Sequence, residues 1–402
     1  MVLGCRQDTN PGSPRRRATN CALSREGRIT VNQLMKRGFL RSRLLLVLAA
    51  IGGSQRTLLQ DEVSMNHTRM LSLLLLMSAS VCATAQTTVT SLGTLPGGWH
   101  SEAMAINNRG YVVGYSYVAA GVRAFKWSKE VGMIDLGALP GDADSNAFDI
   151  NSRGEVVGVS VDATQRPHAF LWTSMKGMVD LGTIPGALGS YAYAINERGE
   201  VVGHSYGLKR HAFRWRDRDG MVDLGTFPGE VESQAFDINN RGEVVGYSYG
   251  SQCSAFLWTQ EGGMVDLGTL PGASGSQAHA TNDLGQVVGE TRGPGCGPTT
   301  RHAFLWSAAN GIVDLGTLPG DDVSVAYAIN NLGEVVGFSH GPSGRARAFL
   351  WTRAGGMIDL GGLPGASVNH AYDINDHGQV VGRSGETAVL WTTQMRSSVP
   401  PQ

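Results

Sequence analysis

Several features are scarce in this chain of 402 residues, and each scarcity excludes a class of protein. Charged residues make up only 17% of the chain and hydrophobic residues 42%, a globular composition and not a disordered one. The 15 prolines are too few for a collagen or a proline-rich linker. No apolar run reaches the roughly 20 residues that a membrane-spanning helix needs, so we expect no transmembrane segment in the mature chain.

Basic clusters and catalytic motifs are also missing. Residues 1–85 contain 12 Lys and Arg against 4 Asp and Glu, whereas the remainder contains 21 against 30 and has a net charge of −9. An acidic chain without a stripe of Lys or Arg is not expected to bind nucleic acid. No GxSxG, HExxH, CxxC or phosphate-loop motif occurs, so the sequence predicts no catalytic residue, no metal and no cofactor.

Residues 65–85 have the features of a secretory signal peptide. Arg69 precedes an apolar run of about twelve residues, and Ala-Thr-Ala ends at Ala85 as a cleavage site. Val81 stands where lipid attachment at Cys82 requires a small residue, which favours cleavage over lipidation. The mature protein is therefore predicted to be secreted, to the periplasm or the extracellular space.

The origin of residues 1–64 has two interpretations. In the first, translation begins at Met65 or Met70 and the upstream extension is not translated or is disordered. In the second, the apolar run Leu44–Gly53 acts as an alternative signal or anchor. In both, residues 1–85 are absent from the mature fold, and residues 395–402 are predicted to form a disordered tail.

The 55 glycines belong mostly to a unit that is repeated seven times between residues 86 and 394. Each unit contains Asn-x-x-Gly, Val-Val-Gly and a strand ending in Trp, and six units continue with Asp-Leu-Gly and Pro-Gly. The repeated asparagines are Asn107, Asn151, Asn196, Asn239, Asn282, Asn330 and Asn375. Asn-x-x-Gly fits a type I turn that closes a hairpin. In the strand that ends in Trp, a Phe or other apolar residue two positions before the Trp lies on the same strand face.

Four short strands in about 44 residues match one propeller blade. The sequence therefore predicts an all-β fold, a seven-bladed β-propeller with four antiparallel strands in each blade. The seventh unit ends at Trp391 without a fourth strand, whereas Thr87–Gly97 is a fourth strand with Ser91 in the place of Asp. The N-terminal strand is thus expected to complete the last blade. A parallel β-helix is the alternative, but its coils are shorter and need no hairpins.

The recurring HAFLW and HAFRW segments, which begin at His168, His211 and His302, resemble the HAF repeat family of extracellular bacterial proteins. The resemblance covers about 300 residues, with Asp-Leu-Gly-Thr-Leu-Pro-Gly and Ala-Ile-Asn-x-x-Gly-Glu-Val-Val-Gly in fixed order. It implies an exported repeat protein and supplies no activity, cofactor or catalytic residue. Other units have Arg, Ser or Thr at the His position, which argues against a required His ligand.

Residues that recur in nearly every unit are expected to be structural, and a site is expected where the repeat is broken. The Asp of each Asp-Leu-Gly is predicted to bond at a turn or strand end. The large residues equivalent to Met104 are assigned to core packing between blades, because small Ala residues flank them. His279 interrupts this set, either as a buried core histidine or as a functional residue in the channel.

The variable loops before each first strand form the candidate ligand-binding rim. Its candidate residues are Trp99, His100, Asp142, Asp144, Glu230, Glu232, Asp321, Asp322 and His370. The cluster suits a polyhydroxylated ligand or a divalent cation, but the D-x-D-x-N of the second unit is only a weak calcium signal, and solvated loops are the alternative.

Two functions remain open. The first is an exported, non-catalytic binding or structural module for a carbohydrate or protein partner at this rim. The second is an extracytoplasmic lyase or hydrolase that acts on a polysaccharide or a small cyclic substrate, with His100, His279, His370 and rim carboxylates as acid and base. The two cysteines left after cleavage, Cys253 and Cys296, lie in equivalent loops of consecutive units and are predicted to form a disulfide, although two free thiols are the alternative.

Overall fold

The computed structural model describes residues 86–293 and 301–394, and these contain 28 β-strands. The described residues belong to one compact unit, Ala83–Gln402. In the described ranges, no helix is long and apolar enough to cross a membrane.

The strands form seven sheets, which we number as blades 1 to 7. The first strand, β1 (Gln86–Gly93), precedes blade 1. Blade 1 contains β2 (His100–Ile106), β3 (Val112–Val118), β4 (Gly121–Ser128) and β5 (Gly132–Gly137). Blade 2 contains β6 (Asp142–Ile150), β7 (Val156–Asp162), β8 (Pro167–Thr173) and β9 (Gly177–Asp180). Blade 3 contains β10 (Gly189–Ile195), β11 (Val201–Tyr206), β12 (Arg210–Arg216) and β13 (Gly220–Gly225). Blade 4 contains β14 (Glu232–Ile238), β15 (Val244–Tyr249), β16 (Cys253–Thr259) and β17 (Gly263–Asp266).

Blade 5 contains β18 (Gly275–Thr281), β19 (Val287–Arg292), β20 (His302–Ser307) and β21 (Gly311–Gly316). Blade 6 contains β22 (Val323–Ile329), β23 (Val335–His340), β24 (Ala346–Thr352) and β25 (Gly356–Asp359). Blade 7 contains β26 (Asn369–Ile374), β27 (Gln379–Ser384) and β28 (Thr387–Gln394), and β1 is its fourth strand. This confirms the predicted seven-bladed propeller and its closure. β1 pairs antiparallel with β28 from Gln86 opposite Gln394 to Gly93 opposite Ala388.

Each blade packs against both neighbours through the two valines of its Val-Val-Gly segment. Side chains of consecutive strand residues point to opposite faces. Val112 therefore contacts the cluster shared with blade 7, and Val113 contacts the cluster shared with blade 2. The next residue, Gly114, must be glycine, because a Cβ there would lie 1.9 Å from the carbonyl oxygen of Glu102. The core thus consists of layers between blades, with Phe125 and its five counterparts fully buried.

The Asp of Asp-Leu-Gly bonds at the end of the fourth strand, as the repeat predicted. In all six copies, its Oδ1 accepts the backbone N–H two residues later, at 2.7–2.8 Å. In β1, the Ser91 hydroxyl accepts the N–H of Gly93 at 3.2 Å. The residue that replaces Asp in the closing strand therefore makes the equivalent hydrogen bond.

The seven repeated asparagines form a closed ring of hydrogen bonds around the axis. Each side-chain Nδ2 donates to the backbone oxygen of the asparagine in the next blade at 2.9–3.3 Å, and Asn375 donates to Asn107. Each Oδ1 accepts two N–H groups of its own turn, as Asn107 does from Arg109 and Tyr111 at 3.0 Å. The glycine that ends this turn, Gly110, has a φ of 76°, which non-glycine residues rarely adopt. The asparagine is thus a structural residue of the turn and of the contact between blades.

The large residues equivalent to Met104 do not pack between the blades as expected. Each sits at a β-bulge in the first strand of its blade, between two paired residues such as Ala103 and Ala105. The bulge turns the side chain toward the axis, where rings of successive blades lie 5.4–5.5 Å apart from Phe148 to Tyr372. They are half-buried and form an axial ring, while the flanking alanines fill the layers between blades.

Candidate functional site

The propeller has two ends with different chemistry. One end, which we call the turn face, consists of the Asn-x-x-Gly turns and the turns between third and fourth strands. The other, which we call the loop face, consists of the loops that enter each first strand and the loops between second and third strands. All the predicted rim residues belong to the loop face, because they start first strands or immediately precede them.

A charged group lies on the loop face where blade 7 meets blade 1, and we call it the junction site: His100, Glu102, Arg383 and Glu386. The His100 Nε2 lies 3.1 Å from Glu102 Oε1, and its Nδ1 contacts Glu386 Oε2. Arg383 donates to Glu102 Oε1 at 3.1 Å. His100 and Glu102 are each 11% exposed, whereas the Glu386 side chain is 77% exposed. The site therefore joins a buried carboxylate to an accessible one through an imidazole.

Aromatic side chains flank the junction site. Tyr117 packs edge-on against His100 with ring centroids 5.2 Å apart, and Trp99 lies 6.2 Å from Tyr117. Trp99 is 63% exposed and Tyr117 is 37% exposed. Two large aromatic rings thus face solvent beside charged hydrogen-bonding groups.

Burial and nearby charge change the acidity of the groups around Glu102. Burial, and then the Glu102 carboxylate, raise the pKa of Tyr115 and of Tyr372 above the ordinary range of tyrosine. Burial and the positive charge of Arg383 lower the pKa of His370 to about 4. These phenols and this imidazole are therefore uncharged at neutral pH and serve as hydrogen-bonding groups. His370 lies on β26, with its Nδ1 3.2 Å from the Tyr372 hydroxyl.

The other rim carboxylates lie in separate pairs around the loop face. Asp142 lies 3.2 Å from His168 Nδ1, Glu232 lies 3.6 Å from Arg210, and Asp321 lies 2.8 Å from Arg347. The remaining contacts are local: Asp144 accepts the N–H of Val122 at 2.7 Å, Glu230 accepts the Ser254 hydroxyl at 3.3 Å, and the N–H of Asp322 donates to His340 at 3.2 Å. Of the predicted rim residues, only His100 therefore belongs to the junction site, whereas Asp321 joins a smaller group, because Arg347 also lies 3.6 Å from Asp359. Among the described residues, no group of three or more His, Cys, Asp or Glu could hold a metal ion.

His279 has a carboxylate partner that the sequence did not reveal. Its ring lies in the axial ring between Phe236 and Tyr327, 5.5 Å from each, and its Nε2 is 3.7 Å from Glu290. Glu290 is 1% exposed and also contacts Arg292 and Arg301. Burial acts to raise the pKa of Glu290, but His279 and the two arginines hold it at about 2. Glu290 is therefore ionised and fully committed to ion pairs.

Three aspartates that the sequence did not single out lie just beyond the axial ring, toward the turn face. Asp149, Asp237 and Asp373 each accept the next N–H of their own chain and one N–H of the following blade, at 2.7–2.8 Å. Burial raises the pKa of Asp149 well above its ordinary value, that of Asp237 to about 7 and that of Asp373 to about 6. The other four blades have Ala in this position. At the turn face, the asparagine ring lines a polar cavity of about 190 Å³.

Cys253 is buried and takes part in a disulfide bond. The predicted partner, Cys296, lies outside the described residues, so the pairing stays a prediction.

The chain is similar in structure to known propellers. Virginiamycin B lyase from Staphylococcus aureus aligns with a TM-score of 0.54 and 12% identity, over 76% of this chain and 99% of that chain. A streptogramin B lyase aligns with a TM-score of 0.54 and 10% identity, over 77% of this chain and 98% of that chain. A prolyl endopeptidase aligns with a TM-score of 0.52 and 10% identity, over 74% of this chain and 50% of that chain. At these identities, the likeness shows the fold alone.

No family model matches the chain, and no curated protein matches it. The resemblance to HAF repeat proteins stays a prediction.

Proposed function

We propose that this protein is an exported, non-catalytic propeller that binds a carbohydrate on its loop face, at the junction site. The exposed pair Trp99 and Tyr117 carries the proposal. Aromatic faces cover the apolar faces of sugar rings. His100 packs against Tyr117 and contacts the exposed Glu386 carboxylate, so hydrogen-bonding groups of the kind that sugar hydroxyls require lie next to the aromatic pair. A protein partner on the same surface is the alternative within this binding role.

A polysaccharide array with the purified protein tests the proposal, with a reducing-end assay run in parallel. We expect binding without turnover, and Trp99→Ala should weaken the binding by roughly tenfold or more, as removal of an aromatic anchor does. Met175→Ala is a matched control, because Met175 is 94% exposed and lies in a turn between third and fourth strands, on the turn face. Loss of binding in both variants, or in neither, would contradict a site at Trp99.

One observation favours the second candidate function, an extracytoplasmic lyase or hydrolase. His100 contacts Glu386, which belongs to a different blade, so an imidazole and an exposed carboxylate meet on the loop face. Such a pair is within reach for general acid and base catalysis. The similar structures include two lyases, but at 10–12% identity they supply no residue for this site.

Turnover separates the two functions. If the protein is an enzyme, the reducing-end assay, or ultraviolet absorbance of an unsaturated product, detects a product from a bound substrate. His100→Gln and Glu386→Gln should then abolish turnover while substrate binding persists. A bound polysaccharide that is never cleaved supports the non-catalytic role.

Export is part of the proposal and has its own test. Cleavage after Ala85 gives a mature protein that begins at Gln86, the first residue of β1. N-terminal sequencing of protein from the envelope or the medium should therefore find Gln86. A folded, exported product that retains residues before Met65 would contradict the assignment of the signal peptide.

A further inference from the structure

A second concavity opens on the loop face between blades 3 and 4, away from the junction site. It has a volume of about 600 Å³ and is lined by side chains of β10, β11, β12 and β14. Pockets that bind small molecules usually have volumes of roughly 300–1,000 Å³. The concavity is therefore large enough for a small ligand such as a disaccharide.

One wall of this pocket is aromatic. The rings of Tyr191 and His204 are stacked, with centroids 5.0 Å apart and an angle of 15° between their planes. Tyr193 lies 5.5 Å from His204, and Tyr206 also lines the pocket. Stacked, flat rings with polar edges form the kind of surface against which a sugar ring packs.

His204 has an unsatisfied polar atom within this wall. The residue is 6% exposed, and its Nδ1 is buried with no hydrogen-bond partner among the described residues. Leaving a buried polar group unpaired costs about 1–3 kcal/mol, so the fold retains this imidazole in the wall at a cost in stability. Burial and then the charge of Arg210 lower the pKa of His204 to about 4, so at neutral pH the imidazole is uncharged. The buried side chain of Gln234 lines the same pocket.

The edge of the pocket is positively charged, although the mature chain as a whole is acidic. Lys209 and Arg210 both line the opening, and Glu232 is the acidic residue of the lining, 3.6 Å from Arg210. The Arg210 side chain is 50% exposed and can still bind an anion. Because arginine forms paired hydrogen bonds with carboxylates, this edge favours a ligand that carries a carboxylate.

We propose that the pocket formed by Tyr191, His204, Tyr206 and Arg210 binds an acidic sugar, a hexuronate residue. The sugar ring lies against the tyrosines and the His204 ring, and the carboxylate reaches Arg210 at the edge. The proposal rests on this pocket alone and stands whether or not the junction site binds a carbohydrate.

Calorimetric titration of the purified protein with dimers of D-galacturonate and of D-glucuronate tests this. We expect at least one of them to bind, and the corresponding neutral dimers of galactose and glucose to bind at least tenfold more weakly. His204→Val and Arg210→Gln should each weaken the binding of the acidic dimer by tenfold or more. Val159 occupies the position of His204 in blade 2, so the fold already accepts valine there.

Two control variants and one additional pocket variant complete the test. Arg166→Gln removes an exposed charge from the equivalent loop of blade 2 and should leave binding unchanged. Trp99→Ala disables the junction site and should also leave it unchanged. Tyr206→Val, for which Val161 of blade 2 is the precedent, should weaken binding even if His204→Val fails to fold. No binding of either acidic dimer, equal binding of the neutral dimers, or full binding by the Arg210 and Tyr206 variants would overturn the proposal.

Discussion

The substitution Asn239→Asp tests the asparagine ring with a change of almost no volume. Asn239 Oδ1 accepts the N–H groups of Arg241 and Glu243 at 3.0 Å. Its Nδ2 donates to Glu243 Oε2 at 2.7 Å and to the backbone oxygen of Asn282, in the next blade, at 3.0 Å. The substitution preserves the acceptor and turns the donor into a second acceptor, so two attractive contacts become repulsive.

The expected loss of unfolding free energy can be calculated from these contacts. A neutral hydrogen bond contributes about 1 kcal/mol and one to a charged group about 2 kcal/mol, so we expect a destabilisation of about 3 kcal/mol at neutral pH. For a propeller of about 310 residues, whose unfolding entropy is about 2.1 cal/mol/K per residue, that corresponds to a fall in melting temperature of roughly 4–6 °C. Asn310→Asp is the control, because Asn310 is exposed in the turn between β20 and β21, where a substitution changes stability by about 0.5 kcal/mol or less.

The pH dependence provides a second measurement. Burial and the neighbouring Glu243 carboxylate are expected to raise the pKa of the new carboxyl above its unfolded-state value. A carboxyl with a raised pKa is tolerated best when it is protonated, so the destabilisation should shrink as pH falls toward about 4 and be complete above the raised pKa. Urea unfolding of both variants at several pH values decides the matter. A variant as stable as the Asn310→Asp control at pH 7 would refute the role assigned to the ring.

Three further predictions concern closure, titration and the disulfide. Deleting Thr87–Leu95 should remove the strand that pairs with β28 and lower the melting temperature. It should also expose Trp391, which is fully buried in the intact protein, and so change the tryptophan fluorescence. An unchanged melting curve would contradict this closure. Because burial raises the pKa of Asp237 from 3.8 to about 7, the stability it contributes is lost as pH rises through 7; Asp237→Ala should therefore reduce the fall in unfolding free energy between pH 5 and pH 8, and an equal fall in both proteins would count against it. Mass spectrometry of non-reduced peptides should find Cys253 linked to Cys296, whereas two alkylatable thiols would disprove the bridge.

The repeat unit made the architecture predictable from the sequence. Each Asn-x-x-Gly and Asp-Leu-Gly makes its hydrogen bonds within one blade or between adjacent blades, so seven copies in register predict seven equivalent sheets. The axial ring could not be placed in the same way. Strand alternation assigns the residue at Tyr193 to a face, but the bulge beside Ala192 turns it toward the axis. A bulge adds one unpaired residue to a strand, and no residue pattern in the amino-acid sequence marks its position.

The junction site was predicted only through His100. Its partners Glu102, Arg383 and Glu386 come from the two ends of the described chain, and pairing across the closed ring brings them together. A signal for part of the site was present in the sequence. The position eight residues after each repeated asparagine is Tyr, Val or Phe in four blades, but His204, Glu290 and Arg383 occupy it in the other three. Polar residues in a mostly apolar position mark the departures from the repeat that a site requires.

The pairing of β1 with β28 also determines at which face of the propeller a label or fusion partner can be attached through these two strands. Gln86 begins β1 and Gln394 ends β28, and the two residues are partners in the sheet. Because β1 is a fourth strand and β28 a third strand, both of these ends lie on the turn face, at the outer edge of one blade. A label, a fusion partner or a solid support joined at either end therefore leaves the opposite face accessible. Immobilising the protein through these ends presents its loops, in one orientation, to whatever is passed over the surface.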